Sequence, residues 1–398
     1  LARTGWDQVS LLSLSAGDHP GILTMLERFY REHAPRRISV SLPSLRAETL
    51  TPALAELVKT VRKSGFTIAP EAGSERLRAV INKQLDRDDI IAAARGAFGA
   101  GWRLIKLYFM VGLPTEREED HDAIVGLVGD IKKTLPRGAR INVGISTFVP
   151  KPHTPFQWEA MVPPEQAGRI HRRLRRDLEA LGGVKVGWSP AWMSWAEGVL
   201  ARGDRRMFDC LVRLVDAGQR LAGWSEHFDP DRCRRAFDLP GENPLATRDP
   251  AVPLPWEHLD MGPSIDFLRQ ERARALQTAP TADCSREGCT DCGACQPEGY
   301  LPVLATVPAP AEPPEPDPAP APGPAGAKRL RMTMSKTGPA IHLGHLEFMK
   351  SIVRAMRRAG WPLVYTAGFH PKPRLSFGPA CPVGVESTIL DLTTDTPT

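Results

Sequence analysis

Short apolar runs that end at glycine, proline or charged residues recur through the first 160 residues of the chain. The clearest run covers residues 106–111 and leads through the turn 112–116 into an acidic helix start. An apolar run followed by a helical pattern is typical of a buried parallel strand in a βα unit. By this pattern strands are predicted at residues 7–14, 38–42, 66–69, 106–111 and 141–148, and helices at residues 21–32, 51–63, 76–82, 88–100 and 118–134.

The spacing of these elements predicts an α/β fold. Strand-then-helix units at intervals of about 30 residues are typical of parallel barrels and doubly wound sheets. A closed barrel needs eight such strands, and residues 1–160 supply five. We therefore expect a partial (βα) TIM-like barrel that lacks its first strand.

The remainder of the chain divides into four further segments. Residues 161–283 are expected to form a helical extension that begins with a basic amphipathic helix at 164–181. Residues 284–300 contain four cysteines, and residues 301–327 form a Pro/Ala-rich linker that we expect to be disordered. Residues 328–398 are predicted to form a small α+β domain with a strand at 328–334 and a helix at 343–358.

Composition limits the cellular setting. The chain is 42% hydrophobic, so it can bury a large core, and no apolar run approaches the roughly 20 residues that span a bilayer. We expect a cytoplasmic protein without a membrane segment. The net charge of +5 suits an RNA partner and equally an ordinary solvated surface. Because the chain begins at Leu1 and its last residues show no obvious domain end, we expect a fragment of a longer protein.

Four of the seven cysteines lie within twelve residues, in the order Cys284-x4-Cys289-x2-Cys292-x2-Cys295. Crowded cysteines in a chain without a secretory signal favour a reducing compartment and a metal site over disulfides. The glycines Gly288 and Gly293 allow the segment to wrap around one ion or cluster. Structural zinc sites usually divide their cysteine pairs across a longer loop, so an iron-sulfur cluster is favoured and zinc is the close alternative.

Polar and glycine residues follow each predicted strand, and the carboxyl ends of parallel strands share one edge of the sheet. Convergent polar groups at one edge predict a binding site there. The turn 112–116 has a competing interpretation, because glycine, proline and a carboxylate also form a helix-capping turn.

Segments 66–78, 104–116 and 141–156 resemble the radical S-adenosylmethionine superfamily. Within it, the runs 102–110 and 146–158 are similar to fusion proteins of unknown function that join a cobalamin-binding-like segment, a radical domain and a radical-SAM-linked C-terminal domain. Segments 342–347 and 368–378 resemble that last, DUF2344-like, domain. The resemblance extends over nearly the whole chain, from Gly5 to Ser387.

The resemblance implies S-adenosylmethionine bound beside a 4Fe-4S cluster held on a Cys-x3-Cys-x2-Cys loop after the first strand. This chain contains no such spacing, so the ligands of that cluster are expected outside it, before Leu1. The implied contacts to S-adenosylmethionine are assigned by region. Ser15, Gly17 and Asp18 would receive the methionine amino group, and Ser44 and Arg46 the carboxylate or ribose. Glu71 and Gly73 would face the ribose or amino group, Val111, Gly112, Phe148 and Val149 would flank adenine, and Pro114 and Glu116 would complete the turn.

The implied activity of the intact protein is reductive cleavage of S-adenosylmethionine followed by hydrogen abstraction. RNA or a ribosomal protein is the expected substrate, flavodoxin or ferredoxin the electron donor, and cobalamin a further cofactor. The fragment alone is expected to be inactive. The alternative is a non-catalytic module that binds RNA or protein through the four-cysteine site and the C-terminal domain. Charge and stacking would then come from Lys328, Arg329, Arg331, Lys336, Lys372, Arg374, Phe369 and Phe377.

Overall fold

A computed structural model describes residues 3–12, 19–33, 37–41, 66–99, 101–239, 242–295, 328–366 and 372–396. In chain order the strands are β1 Gln8–Ser10, β2 Ser39–Ser41, β3 Phe66–Glu71, β4 Leu104–Val111, β5 Arg140–Thr147, β6 Val184–Trp188, β7 Lys328–Lys336, β8 Leu375–Phe377 and β9 Ser387–Thr396. The helices are α1 Ile22–His33, α2 Glu75–Val80, α3 Arg87–Gly99, α4 Glu118–Thr134, α5 Pro164–Glu179, α6 Ala191–Arg202, α7 Met207–Asp216, α8 Pro230–Ala236, α9 Ile265–Leu276, α10 Cys284–Glu287 and α11 His345–Arg358, with a 3₁₀ helix at Gly338–His342.

The chain divides into two compact units. One unit consists of Leu45–Leu50 and Ser64–Thr306, and the other of Leu1–Ser44, Thr51–Lys63 and Val307–Thr398.

The larger unit is built on a four-stranded parallel sheet with the order β3-β4-β5-β6. On one face, alternate side chains of β4 and β5 are buried, among them Ile105, Leu107 and Val143. Buried side chains of α3 and α4, such as Ile90 and Leu127, supply the apolar surface that such a face needs. The α/β class predicted from the sequence is therefore confirmed.

The opposite face of this sheet is more polar. Tyr108 is exposed there, and Lys106, Asn142 and Ser146 are half-buried. The pattern of β4 and β5 is consequently alternating, which is typical of a sheet whose second face is not covered by an apolar layer. The four described strands do not close into a barrel.

Strand β6 was absent from the sequence prediction. It has five residues, and only Val184 and Val186 are buried, so its apolar pattern is too short to distinguish from a loop. Its pairing with β5, in which Ile141 lies opposite Val184, makes it a strand. This assignment depends on a partner 43 residues away in the chain, which local pattern does not reveal.

After β5 the larger unit continues as helices around a separate apolar cluster. Met161, Val199, Cys210 and Leu245 are buried in it, with contributions from α6, α7 and α8. A second cluster brings Trp158 together with Trp256 and with Leu268, which lies on α9. After residue 160 the larger unit consists mainly of helices, and β6 is the exception.

The smaller unit contains a three-stranded antiparallel sheet in the order β7-β9-β8, packed with α11. Its predicted strand and helix are both confirmed. It also contains the two-stranded parallel sheet β1-β2. The Asp7 carboxylate lies 2.9 Å from Nη1 of Arg357 on α11, and the Arg354 guanidinium stacks 4.3 Å from the ring centre of Trp6.

The first two predicted strands thus pair with each other and are not members of the four-stranded sheet, although the sequence pattern suggested one common sheet. Each has only three residues, and contacts from α11 hold the segment that precedes β1. The predicted helix at 51–63 lies outside the described residues. None of the described helices is both long enough and apolar enough to cross a bilayer.

Candidate functional site

Glu71 ends strand β3 at the carboxyl edge of the four-stranded sheet. Its backbone is left-handed, with φ of 67°, and the ladder between β3 and β4 shifts register between Ile68 and Glu71. Burial raises the pKa of the Glu71 carboxyl, and the charge of Lys83 opposes this in part. Within the described part of the chain the Glu71 carboxyl makes no hydrogen bond or ion pair. A half-buried acid without a partner, held in a strained conformation, is the type of group found at ligand sites.

Asp120 on α4 joins the loops that follow β3 and β4. Its carboxylate accepts hydrogen bonds from Ser74 Oγ at 2.5 Å, Arg76 Nη2 at 2.5 Å and the backbone N–H of Arg117 at 2.8 Å. Burial alone would raise the pKa of Asp120, but these hydrogen bonds and the Arg76 charge outweigh it and hold the pKa below its ordinary value. Asp120 is therefore a buried, ionised cross-link between the two loops.

Glu116 is committed to the turn in which it lies. Its Oε2 accepts a 2.5 Å hydrogen bond from the Gly112 N–H and lies 3.1 Å from Nε2 of His121 on α4. Both side chains are buried. This geometry favours the capping interpretation of the turn 112–116 over a direct contact from Glu116 to a ligand.

Two of the three predicted cofactor glycines, Gly73 and Gly112, are surrounded by protein atoms. A Cβ on Gly73 would overlap the backbone nitrogen of Ile124, and a Cβ on Gly112 would lie 2.5 Å from Val162 Cγ1. Gly112 also has φ of 82°, which favours glycine. Gly73 therefore needs glycine for packing, and Gly112 needs it for both packing and backbone conformation.

The predicted adenine-flanking residues lie in apolar clusters. Val111 is fully buried, and Phe148 packs with Ala72 and Leu113 at the ends of β3 and β4. Val149 packs instead against the cluster of the helical extension. Pro114 is half-buried beside them. The five remaining predicted contacts, Ser15, Gly17, Asp18, Ser44 and Arg46, lie outside the described residues.

The loop after β5 contains a buried polar group that the sequence analysis did not single out. Gln157 Oε1 accepts hydrogen bonds from the His153 N–H at 2.9 Å and from Trp256 Nε1 at 2.7 Å. Gln157 and Trp256 are both buried, and 99 residues separate them in the chain. Only the resemblance of the run 146–158 drew attention to this loop, and it did not indicate the partner.

His171 on α5 is a second buried polar group near the same edge. Its Nε2 lies 3.5 Å from Thr147 Oγ1 at the end of β5. Burial lowers the pKa of His171 to about 4. The ring is therefore neutral at pH 7 and acts as a packing residue of the sheet.

The four-cysteine segment lies against the β3 side of the larger unit. Just before it, the Thr281 N–H donates to Asn82 Oδ1 at 3.0 Å, and Gln84 Nε2 donates to the Thr281 carbonyl at 2.7 Å. Within it, Gly293 approaches Gly262 so closely that a Cβ on Gly293 would lie 2.6 Å from the Gly262 carbonyl oxygen. These contacts hold both ends of the segment 281–293.

The cysteines themselves are accessible. Cys284, Cys289 and Cys295 are exposed and Cys292 is half-buried, and the Asp291 N–H donates to the Cys289 sulfur at 3.3 Å. Left-handed residues at Gly288, Asp291 and Gly293 turn the chain sharply between them. Among the residues that the structure describes, no three His, Cys, Asp or Glu side chains are gathered closely enough to hold a metal ion.

Several basic side chains of the C-terminal domain already have acidic partners. Arg329 lies 3.2 Å from Asp395, Arg331 pairs with Asp391, and Arg374 lies 3.7 Å from Asp395. Lys336 is buried and donates to the carbonyls of Cys381 and Pro382. These pairings reduce the positive charge that this surface can offer to RNA.

Comparison with known proteins gives two matches. Residues 329–395 match a family described as an uncharacterized protein conserved in bacteria, DUF2344. This match confirms the DUF2344-like resemblance of the C-terminal domain. An uncharacterized protein of Methanocaldococcus jannaschii is 32% identical over 203 residues, which are 50% of this chain and 42% of that protein. The chain thus spans less than half the length of this relative.

Proposed function

We propose that this chain is part of a radical S-adenosylmethionine enzyme and that the loops at the carboxyl edge of β3, β4 and β5 form part of its cofactor site. The observation that carries the proposal is Glu71, a half-buried carboxylate without a partner among the described residues, at the edge where βα folds bind ligands. The resemblance of segments 66–78, 104–116 and 141–156 gives this edge its chemical interpretation. In the finer fold proposed here, the four strands belong to a partial barrel whose interior is the polar face around Tyr108.

The surroundings of these residues leave fewer of them available to contact S-adenosylmethionine than the sequence predicts. Protein atoms already fill the space beside Gly73 and Gly112, and Glu116 is engaged with the turn. The Glu71 carboxyl, which has no hydrogen-bond partner among the described residues, would accept hydrogen bonds from the ribose hydroxyls or the amino group. Val111 is buried and Phe148 packs with Ala72 and Leu113 at the ends of β3 and β4, and the Asp120 cross-link joins the loops that follow these strands.

When bound to a reduced 4Fe-4S cluster, S-adenosylmethionine supplies a 5′-deoxyadenosyl radical for hydrogen abstraction. The part of this chain is to bind and orient the nucleoside and to exclude water from it. The resemblance alone supports four further parts of the proposal. These are RNA or a ribosomal protein as the substrate, flavodoxin or ferredoxin as the electron donor, cobalamin as a further cofactor, and a cytoplasmic location.

A measurement on the full-length protein tests this function. Purified anaerobically and reduced with dithionite, it should release 5′-deoxyadenosine from S-adenosylmethionine, whereas this chain alone should not. Glu71→Gln should weaken binding of S-adenosylmethionine about tenfold, because a charge-assisted hydrogen bond contributes about 1.5–3 kcal/mol. Glu75→Gln is the matched control, since Glu75 is a neighbouring but exposed carboxylate. A full-length protein that contains no iron and forms no 5′-deoxyadenosine would rule out the enzyme.

We further propose that Cys284, Cys289, Cys292 and Cys295 bind an iron-sulfur cluster, with zinc as the alternative. The proposal is supported by the four accessible thiols, the sharp turns between them and the N–H donated to the Cys289 sulfur. Anaerobically purified protein should contain iron and acid-labile sulfide, and Cys292→Ser should lose both. Cys381→Ser, which lies outside the four, should retain them. Stoichiometric zinc without sulfide would replace the cluster assignment.

A further inference from the structure

A cleft of about 450 Å³ opens in the helical extension, between the end of α6 and the residues 239 and 242–255. Its volume is in the range of small-molecule sites. Arg202, Arg206 and Arg248 line it together with the apolar residues Val252, Pro253 and Leu254. The cleft is separate from the residues proposed to contact S-adenosylmethionine, and its function does not depend on theirs.

Arg202 is completely buried at one end of this cleft. Its guanidinium donates to the backbone carbonyls of Glu159 and Ala246, and its Nε has no hydrogen-bond partner among the described residues. Within that same part of the chain no carboxylate lies within ion-pair distance of it. Burial, with the nearby charge of Arg248, lowers the pKa of Arg202 to about 10, so it is still charged at pH 7.

Arg248 brings a second guanidinium to the same end. Its Nη2 donates to the Arg202 carbonyl at 2.5 Å, and its Cζ lies 5.1 Å from the ring centre of Trp256. Trp256 is itself fixed by its hydrogen bond to Gln157. Arg248 forms no ion pair with any residue that the structure describes. Two adjacent guanidiniums are thus held rigidly by carbonyls and an aromatic ring.

The acidic residues around the cleft are committed elsewhere. Asp204 and Glu242 both pair with Arg206, at 2.6 and 2.5 Å. Glu159 pairs with Arg272 at 2.6 Å, and Asp249 accepts a hydrogen bond from the Ala251 N–H. Among the described residues no carboxylate therefore lies within ion-pair distance of Arg202 or Arg248, and Glu159, Asp204 and Glu242 act on these two guanidiniums only from farther away. A buried charge such as that of Arg202 is unfavourable unless it is paired.

We propose that the Arg202 and Arg248 end of the cleft binds the oxyanion of a small molecule, a carboxylate or a phosphate, whose apolar part lies against Val252 and Pro253. Planar guanidiniums suit both oxyanions, because their N–H groups match two oxygens at once. Val252 and Pro253 offer no partner for a second charge, and Arg206 is already paired with Asp204 and Glu242. The ligand should therefore carry its charge at one end only.

Isothermal titration of the full chain with three probes tests the site. Phenyl phosphate and phenylacetate carry the two oxyanions on the same apolar ring, and phenol carries the ring alone. At fixed ionic strength at least one anionic probe should bind saturably and phenol should not. The tighter of the two anions identifies whether the natural ligand is a phosphate or a carboxylate.

The variants separate this site from a general effect of charge. Arg248→Gln should weaken binding of the anion about tenfold or more, because it removes a charged, planar hydrogen-bond donor. Arg248→Lys should fall between it and the unmodified chain, because it keeps the charge without the planar fork. Arg205→Gln removes an exposed neighbouring charge and should leave binding unchanged. Circular dichroism of each variant verifies folding. Absence of saturable binding by both anions, or equal losses in Arg248→Gln and Arg205→Gln, would overturn the proposal.

Discussion

Asp120 and Glu71 are two acidic side chains at one edge of the sheet that experience opposite surroundings. Asp120 accepts three hydrogen bonds and has a lowered pKa, whereas Glu71 has no such partner among the described residues and its pKa is raised. Hydrogen bonds to a carboxylate favour its ionised form, and desolvation disfavours it. Asp120 therefore stabilises the fold as an anion, whereas the ionised form of Glu71 is destabilised by its burial.

For Asp120 we expect Asp120→Asn to lower the free energy of unfolding at pH 7 by about 1–3 kcal/mol, since buried donors lose an ionised acceptor. Because the folded pKa of Asp120 is lowered, its stabilisation is present above the ordinary value of 3.8 and is lost as the pH falls through the folded pKa. The difference in the free energy of unfolding between the unmodified chain and Asp120→Asn, measured with urea, should therefore be smaller at pH 3 than at pH 7. Asp122→Asn, which breaks only an exposed pair with Arg173, should change stability little. An equally small effect of Asp120→Asn would contradict the cross-link.

For Glu71 the expected sign is the reverse. Because its folded pKa is raised, the folded state binds a proton more tightly, and stability falls as the pH rises above the ordinary value of 4.5. Glu71→Gln should therefore raise the melting temperature at pH 7 and leave it unchanged at pH 4. Thermal unfolding monitored by circular dichroism at both pH values measures this. A melting temperature lowered by the substitution at pH 7 would show that Glu71 has a stabilising partner.

At the scale of elements, the sequence predicts the bounds of long periodic segments, but it does not predict which elements pack or pair with one another. Helix α4 has the predicted bounds because seventeen residues repeat a clear helical pattern between an acidic start and two lysines. The short strands β1 and β2 were found by pattern, but not their pairing with each other, nor the contact of the segment before β1 with Arg354 on α11.

The candidate site shows the same limit. Sequence reasoning placed Glu71 at the edge of the sheet, because a strand end is a local property. It attributed Gly73 and Gly112 to a ligand, whereas α4 and Val162 occupy the space beside them. The pairs Gln157 with Trp256 and Arg202 with Arg248 were not predictable, since each joins residues distant in the chain.

The turn after β4 allows a direct test of the packing role of glycine. Gly112→Ala should destabilise the protein by about 1–2 kcal/mol, because alanine is unfavourable in a left-handed conformation. Its methyl group would also press on Val162. Gly126→Ala is the matched control: Gly126 lies in α4 with open space beside it, so alanine should stabilise by about 0.5–1 kcal/mol. Chemical denaturation measures both. A Gly112→Ala variant as stable as the unmodified chain would show that the turn can relax.

At the scale of the whole molecule, the smaller unit is assembled from both ends of the chain. Residues 3–7 contact α11 through Arg354 and Arg357, and Arg37 stacks 4.6 Å from the ring centre of Tyr365. A Cβ on Gly5 would overlap the backbone of Arg354, so the first segment lies directly on the helix. These contacts join residues 3–41 to residues 328–396, independently of the predicted linker 301–327.

This arrangement predicts the result of cutting the chain in the segment 301–327. With a specific protease site inserted there, the fragment that contains residues 328–398 should remain bound to the rest after cleavage and elute with it in size-exclusion chromatography. Trp6→Ala combined with Asp7→Asn should release the fragment, because it removes the ring under Arg354 and the carboxylate beside Arg357. Asp88→Asn, an exposed substitution in the larger unit, should not. Separation of the fragments in the otherwise unmodified chain would show that the contacts between residues 3–41 and the C-terminal domain are too weak to hold the unit without the covalent connection.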